Sequence, residues 1–224
     1  ESHDAIEVAK KIDVGDCVAS ALEKCDSVID FSFHAFTCQL IEDCVKQNKP
    51  AVIGTTGHTD EEIQAINEAA ESIPLVMSPN FSIGVNTLFW LTGKTAETLG
   101  KGNDLEVIEM HHRLKQDAPS GTTKHLAEIL AEKTGLSYNE HTLHGRQGII
   151  GPRTDDEIGM HSMRGGDVIG DHTVIYAASG ERIELTHKAS SRNTFANGAL
   201  RASDWLKDQS PGLYDMQDVL GLRS

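Results

Sequence analysis

The segment Glu109-Met110-His111-His112-Arg113-Leu114-Lys115 puts four potentially cationic side chains within five residues, in a chain whose formal net charge is −14. In so acidic a protein that concentration suits an anionic ligand. The chain then runs through Asp117-Ala118-Pro119 to Ser120-Gly121-Thr122-Thr123, which reads as the opening of a helix. The first N–H groups of a helix lack intrahelical partners and its dipole favours negative charge there, so a carboxylate or phosphate is the matching ligand. Ser120 and Thr122 add hydroxyl donors, and Gly121 allows a ligand close to the backbone. A plainer reading has Ser120 capping the helix and the basic residues forming a solvated patch. A metal site on His111-His112 is disfavoured, because adjacent histidines rarely converge on one ion and no HExxH or carboxylate pattern accompanies them. Ser120 lacks the GxSxG surroundings of a hydrolase nucleophile.

Two other segments are candidates by position. Gly54-Thr55-Thr56-Gly57 follows the apolar run Ala51–Ile53, and Ser78-Pro79-Asn80-Phe81-Ser82 follows Pro74–Met77. Each reads as a plain turn in isolation. Phe81 suits either a cofactor ring or the core.

The elements that position these segments follow from the pattern of apolar residues. Runs at Val28–Phe31, Ala51–Ile53 and Pro74–Met77 alternate with helix-like Phe36–Gln47 and Glu61–Ser72, a βαβαβ order that implies a parallel sheet covered on both faces. Thr59-Asp60-Glu61-Glu62 supplies a capping box for the second helix. Ligands of such sheets bind beyond the carboxyl ends of the strands, which here are Ser32–His34, Gly54–Gly57 and Ser78–Ser82. After a helix over Val85–Leu99 the character becomes α+β. Leu105–Met110 is strand-like and Thr122–Lys133 helical, Ile158–Met163, Asp167–Ala177 and Arg182–Lys188 read as strands of a mostly antiparallel sheet, and 137–157 reads as a long loop. Helix returns over Asn193–Asp208 and Met216–Leu220. No GxGxxG turn occurs, so pattern alone stops at an α/β protein with an anion site.

At 224 residues, 38% hydrophobic and 24% charged, the chain suffices for one large domain or two modest ones. The net negative charge argues against nucleic acid or an anionic membrane as partner. Cys17, Cys25, Cys38 and Cys44 fit neither CxxC nor a zinc pattern and are expected as free thiols. No apolar run nears the roughly 18 residues of a membrane span, and the polar, helix-like opening is unlike a signal peptide, so a cytoplasmic location is expected.

The run Glu109–Thr122 resembles the E-x-H-H-x-x-K-x-D-x-P-S-G-T signature of the dihydrodipicolinate reductase family. The resemblance extends to Val52–Gly57, Asn80–Asn86, Arg164-Gly165-Gly166-Asp167, His187–Arg192 and Phe195–Ala199, nearly the whole chain from residue 28. It implies a Rossmann-type dinucleotide-binding domain over 1–82 and 193–224, and a substrate-binding and tetramerisation domain over 83–192. The family's first strand, its Gly-rich phosphate turn and the acidic residue near the adenine ribose have no counterpart here, so the first domain is expected to lack its amino-terminal portion. Residues 1–27 receive no role.

The implied activity is reduction of 4-hydroxy-tetrahydrodipicolinate to tetrahydrodipicolinate, in lysine and diaminopimelate biosynthesis, with NADH or NADPH and loss of water. By motif, His111 is the proton donor and Lys115 holds or polarises the substrate, as general acid catalysis on an electron-rich dianionic ring requires. His112, Ser120, Gly121 and Thr122 bind the carboxylates, with Arg192 assisting. Gly54, Thr55, Thr56, Ser78, Pro79, Asn80 and Phe81 line the nicotinamide side of the cofactor. A homotetramer is implied, and on the residue pattern no metal is expected. Two other readings stay open: a non-catalytic dicarboxylate-binding protein that has lost cofactor binding, and a Rossmann-type reductase of a different dicarboxylate.

Overall fold

The computed structural model describes residues 6–13 and 15–223. Of the polar opening expected to be helix-like, residues 1–5 lie outside the described ones and residues 6–13 are irregular. In chain order the elements begin with α1 (Val18–Leu22), β1 (Val28–Asp30), α2 (His34–Lys46), β2 (Ala51–Ile53), α3 (Asp60–Ala70), β3 (Pro74–Met77) and α4 (Ile83–Leu99). They continue with β4 (Asp104–His111), α5 (Gly121–Thr134), α6 (Tyr138–His141), β5 (Thr142–His144), β6 (Ile158–Arg164), β7 (Gly170–Ala178) and β8 (Glu181–Ala189). Last come α7 (Asn193–Trp205), a 3-10 turn over Leu206–Asp208, β9 (Gly212–Tyr214) and α8 (Met216–Val219). The chain divides into two compact units, residues 1–83 with 193–224, and residues 84–192.

The sheet of the first unit has the order β1-β2-β3-β9, all parallel. Alternation along the strands separates its two faces. Ala51, Ile53 and Leu75 pack with Leu40, Ile41 and Cys44 of α2 and Ile66 and Ala70 of α3. Val52 and Val76 point the other way, onto Phe81, Ala199, Ala202, Leu206, Met216 and Val219. The expected two-faced sheet is thus present, with α7 and α8 supplying the second cover. The capping box of α3 forms as read: Thr59 Oγ1 accepts from Glu62 N at 3.3 Å, and Thr59 N donates to the Glu62 carboxylate at 2.8 Å. On the other cover Gly198 lies hard against the chain, since a Cβ there would fall 1.7 Å from the Phe81 carbonyl oxygen.

The sheet of the second unit has the order β5-β6-β4-β7-β8. Its long pairings, β4 with β7 and β7 with β8, are antiparallel as expected, while β4 with β6 and the short β5 with β6 are parallel. Leu105 and Val107 of β4, Ile158 and Met160 of β6, and Val174 and Tyr176 of β7 share one face, packed against Leu126, Ala127, Leu130 and Ala131 of α5 and Leu88, Phe89 and Ala96 of α4. Tyr176, 1% exposed, satisfies its hydroxyl on the Thr92 carbonyl at 2.7 Å. Residues 137–157, expected as loop, contain α6 and β5. α6 is a single turn, and the three-residue β5 is held by pairing to β6 rather than by any periodicity of its own.

Among the described residues no helix is long and apolar enough to cross a membrane. The four cysteines are free, and burial pushes the Cys44 thiol up to about 12.

Candidate active site

The inward face of the second unit's sheet changes character along its length. Period-two alternation that turns Leu105 and Val107 into the core must also turn in Glu109 and His111, the last inward positions of β4. Burial alternates accordingly, with Glu109 at 0% and His111 at 8% exposure. Register carries the change to the neighbouring strands, because Glu109 sits opposite Ser162 of β6 and His172 of β7, and His111 opposite Arg164. Four titratable residues from three strands therefore converge at one end of an otherwise apolar face.

Their contacts form one network. The Glu109 carboxylate accepts from His111 Nδ1, from Arg164 Nη1 at 3.0 Å and Nη2 at 2.9 Å, and from the Ser120 backbone N–H at 3.3 Å. Burial alone would raise a carboxyl, but the hydrogen bonds from His111 and Arg164 outweigh it and hold Glu109 down at about 2. His172 is 3% exposed, its ring 5.2 Å from that of His111 at 74°. Its Nε2 meets Ser120 Oγ at 3.3 Å and its Nδ1 has no partner, so burial first, and then the nearby His111, push it down to about 3 and keep it neutral.

The Ser120-Gly121-Thr122-Thr123 segment does open a helix. Ser120 Oγ accepts from Thr123 N at 3.2 Å as the N-cap of α5, and Gly135 closes the helix in the left-handed conformation at φ 73°. Ser120 is 3% exposed, and its hydroxyl is spent on Thr123 and His172. The capping reading therefore accounts for that side chain, leaving only Gly121 and Thr122 at the outer surface of the helix start. A Cβ on Gly121 would meet nothing within 4 Å, so the space over its backbone is open. In the connecting loop Lys115 Nζ lies 2.8 Å from the Asp117 carboxylate, whose hydrogen bond from Lys115 draws the Asp117 carboxyl below its ordinary value. His112 is half-buried beside it, and Arg192 is exposed at the end of this unit.

In the first unit the expected cofactor loops follow β1, β2 and β3 and are tied together. Asp30, 3% exposed, accepts from Ser32 N at 2.9 Å and from Thr37 Oγ1 at 2.7 Å, while Thr55 Oγ1 accepts from Ser32 N at 2.9 Å. Ser78 Oγ donates to the Asn80 carbonyl at 2.9 Å. The Phe31 ring covers Gly54, where a Cβ would sit 2.2 Å from it, and Gly57 takes φ +86°. Thr56 and Pro79 are exposed and Gly54 and Asn80 half-exposed, whereas Thr55 and Ser78 are buried in the turn itself. Phe81 is 1% exposed within the apolar cluster, edge-on to Phe31 at 5.7 Å, so its ring belongs to the core and is not free to stack.

Residue types and spacing alone assign no role to Glu109, Arg164 or His172. Glu109 and Arg164 fall inside runs that carry the family resemblance, and all three occupy inward positions of strands, which is the signal that could have found them.

Acid stability follows from the directions of these shifts. The folded His172 resists protonation that the unfolded chain accepts, so stability falls as pH drops below the ordinary histidine value of 6.5 towards about 3. Glu109 and Glu106 add to the fall from 4.5 towards about 2; Glu106 is held low against its burial by Arg146, His161 and Arg153. Chemical denaturation is expected to show a loss on the order of 1–2 kcal/mol between pH 7 and 5 from His172, reduced in His172→Gln. An equal loss in both proteins would contradict a neutral buried His172.

Comparison with known proteins bears on both units. Models described as the N-terminus and C-terminus of dihydrodipicolinate reductase match residues 2–81 and 84–220. The 4-hydroxy-tetrahydrodipicolinate reductase of Akkermansia muciniphila is 60% identical over 210 residues, 94% of this chain and 85% of that protein. The reductase of the same name from Syntrophotalea carbinolica is 48% identical over 90% of this chain and 76% of its own. Among solved structures, dipicolinate-bound dihydrodipicolinate reductase from Paenisporosarcina sp. TG-14 aligns with TM-score 0.70 at 26% identity, covering 86% of this chain and 72% of that one. On these grounds the chain belongs to the dihydrodipicolinate reductase family.

Proposed function

We propose that this protein reduces 4-hydroxy-tetrahydrodipicolinate to tetrahydrodipicolinate, the activity in the name of its relatives, with NADH or NADPH as reductant. The observation that carries this reading is the convergence of His111, Lys115 and the exposed start of α5 at one end of the second unit's inward sheet face. A cyclic dicarboxylate needs fixed positive charge and aligned N–H donors at its carboxylates, and an acid at the carbon that gains a proton. Lys115, His112, Gly121 and Thr122 supply the first set, and His111 the second. Ser120 acts by shaping the helix start.

The loops Gly54–Gly57 and Ser78–Phe81 fit the nicotinamide end of a cofactor: they end adjacent parallel strands, are half-exposed at Gly54 and Asn80, and the first is tied to the loop after β1 by Thr55 accepting from Ser32 N. The bound cofactor supplies the hydride. Lys115 meets the substrate's charge and the electron density that builds on the ring, and His111 then releases a proton to ring carbon, while loss of water completes the balance. The outward face of the sheet, where Met163 is 47% exposed beside Met110, with Ile108 and Ile175 further along the same face, is the surface we assign to a homotetramer contact. Free thiols accord with a cytoplasmic location.

Titration calorimetry with pyridine-2,6-dicarboxylate, a planar analogue of the ring, tests the anion site. Saturable binding that weakens in Lys115→Ala is expected. No heat at millimolar ligand, or binding unchanged in the variant, would overturn the assignment.

A further inference from the structure

We infer that Glu109, locked by Arg164, is the positioning residue that fixes His111 with Nε2 as its reacting nitrogen and registers that nitrogen to the anion-binding loop and helix. The inference rests on the reading of His111 as the acid. Nothing in the family signature requires it. It follows from what a carboxylate at 0% exposure can do with the donors around it.

An ionised carboxylate only accepts hydrogen bonds, and Glu109 is kept ionised by the Arg164 fork. Its contact with His111 Nδ1 therefore requires hydrogen on that nitrogen. This leaves Nε2 as the position from which a proton departs, and the neutral ring left behind is the Nδ1–H tautomer that Glu109 already holds. The Nε2 end is kept clear by Gly170, where a Cβ would stand 3.0 Å from Nε2. His172, neutral in the core, flanks the ring without contributing charge.

The same carboxylate reaches the binding elements. Its other oxygen accepts from Ser120 N at the start of α5, and Arg164 Nη2 also donates to the Asp117 carbonyl at 2.7 Å. Asp117 in turn holds Lys115 at 2.8 Å. A chain of directional bonds thus runs from the acid through Glu109 and Arg164 to the cation, and through Ser120 to the helix N-terminus. The groups facing His111 are Glu109 on its own strand, Arg164 on β6, His172 on β7 with His187 of β8 paired behind it, and Lys115 and Asp117 in the loop. Of these, Glu109 is the one whose charge bears directly on the ring.

The test is a kinetic double-mutant cycle with kcat and KM measured separately. Glu109→Gln keeps the shape and an acceptor but removes the charge. It is expected to lower kcat by about 10- to 100-fold with KM little changed, the usual scale for a partner that orients a functional histidine. In a His111→Gln background the same substitution should cost nothing further. Should Glu109→Gln fail to fold, Arg164→Lys breaks the fork while keeping its charge, and must show the same dependence on His111. A folded Glu109→Gln with unchanged kcat, or one that is equally damaging with and without His111, overturns the inference. Near-normal turnover of His111→Gln alone would instead remove the acid reading on which it rests.

Discussion

His111→Gln is expected to lower kcat by roughly 10²- to 10⁴-fold while leaving KM nearly unchanged, the range typical of a lost general acid. That range corresponds to about 3–5 kcal/mol of barrier. Glutamine is the informative replacement because its amide can still donate to Glu109, so the buried carboxylate keeps a partner at the end of β4. What it cannot do is release a proton to carbon. Binding should survive because the carboxylate contacts assigned to Lys115, Gly121 and Thr122 lie in the loop and helix beyond the strand. Steady-state rates at saturating substrate and cofactor check this; a near-normal kcat would mean that the proton comes from another group.

Lys115→Ala is expected to damage both constants, with kcat/KM falling by about 10²- to 10³-fold, comparable to removal of one preorganised electrostatic donor. The ammonium is a fixed charge acting on the dianion in the ground state and on the developing charge alike, so KM rises and kcat falls together. Asp117, 2.8 Å from Nζ, sharpens the expectation. Once Lys115 is truncated, that carboxylate remains beside the loop and repels the incoming dianion. Lys115→Arg keeps the charge but changes its shape and should recover part of KM more readily than kcat. A Lys115→Ala variant that loses only KM would confine the residue to binding.

The contrast between these side chains and their supports shows what could be read from the chain. The strands Ala51–Ile53 and Pro74–Met77 were legible because a short apolar run between turn residues and helices has few other solutions. β9 was not, since Gly212-Leu213-Tyr214 follows Pro211 and becomes a strand only by pairing with β3. The same division holds within the site. His111, Lys115 and the helix start lie together in one segment whose residue types announce an anion site and an acid. Their supports come from Arg164 and His172, more than forty positions away, and depend on the register of β4 with β6 and β7. Register is a tertiary property that no local window contains. Phe81 illustrates the limit from the other side: an aromatic in a ligand loop suits stacking and packing equally, and the position of α7 and α8 decided for packing.

The activity proposed for this chain is a hydride reduction completed by proton donation on a cyclic dicarboxylate. The most direct measurement follows the loss of reduced-nicotinamide absorbance on addition of freshly generated 4-hydroxy-tetrahydrodipicolinate, with product identified by mass spectrometry. Oxidation of NADH or NADPH is expected in one-to-one proportion with tetrahydrodipicolinate formed, suppressed by pyridine-2,6-dicarboxylate and by His111→Gln. Binding of the dicarboxylate with no oxidation of either cofactor, under conditions where a relative's enzyme turns over, would contradict it.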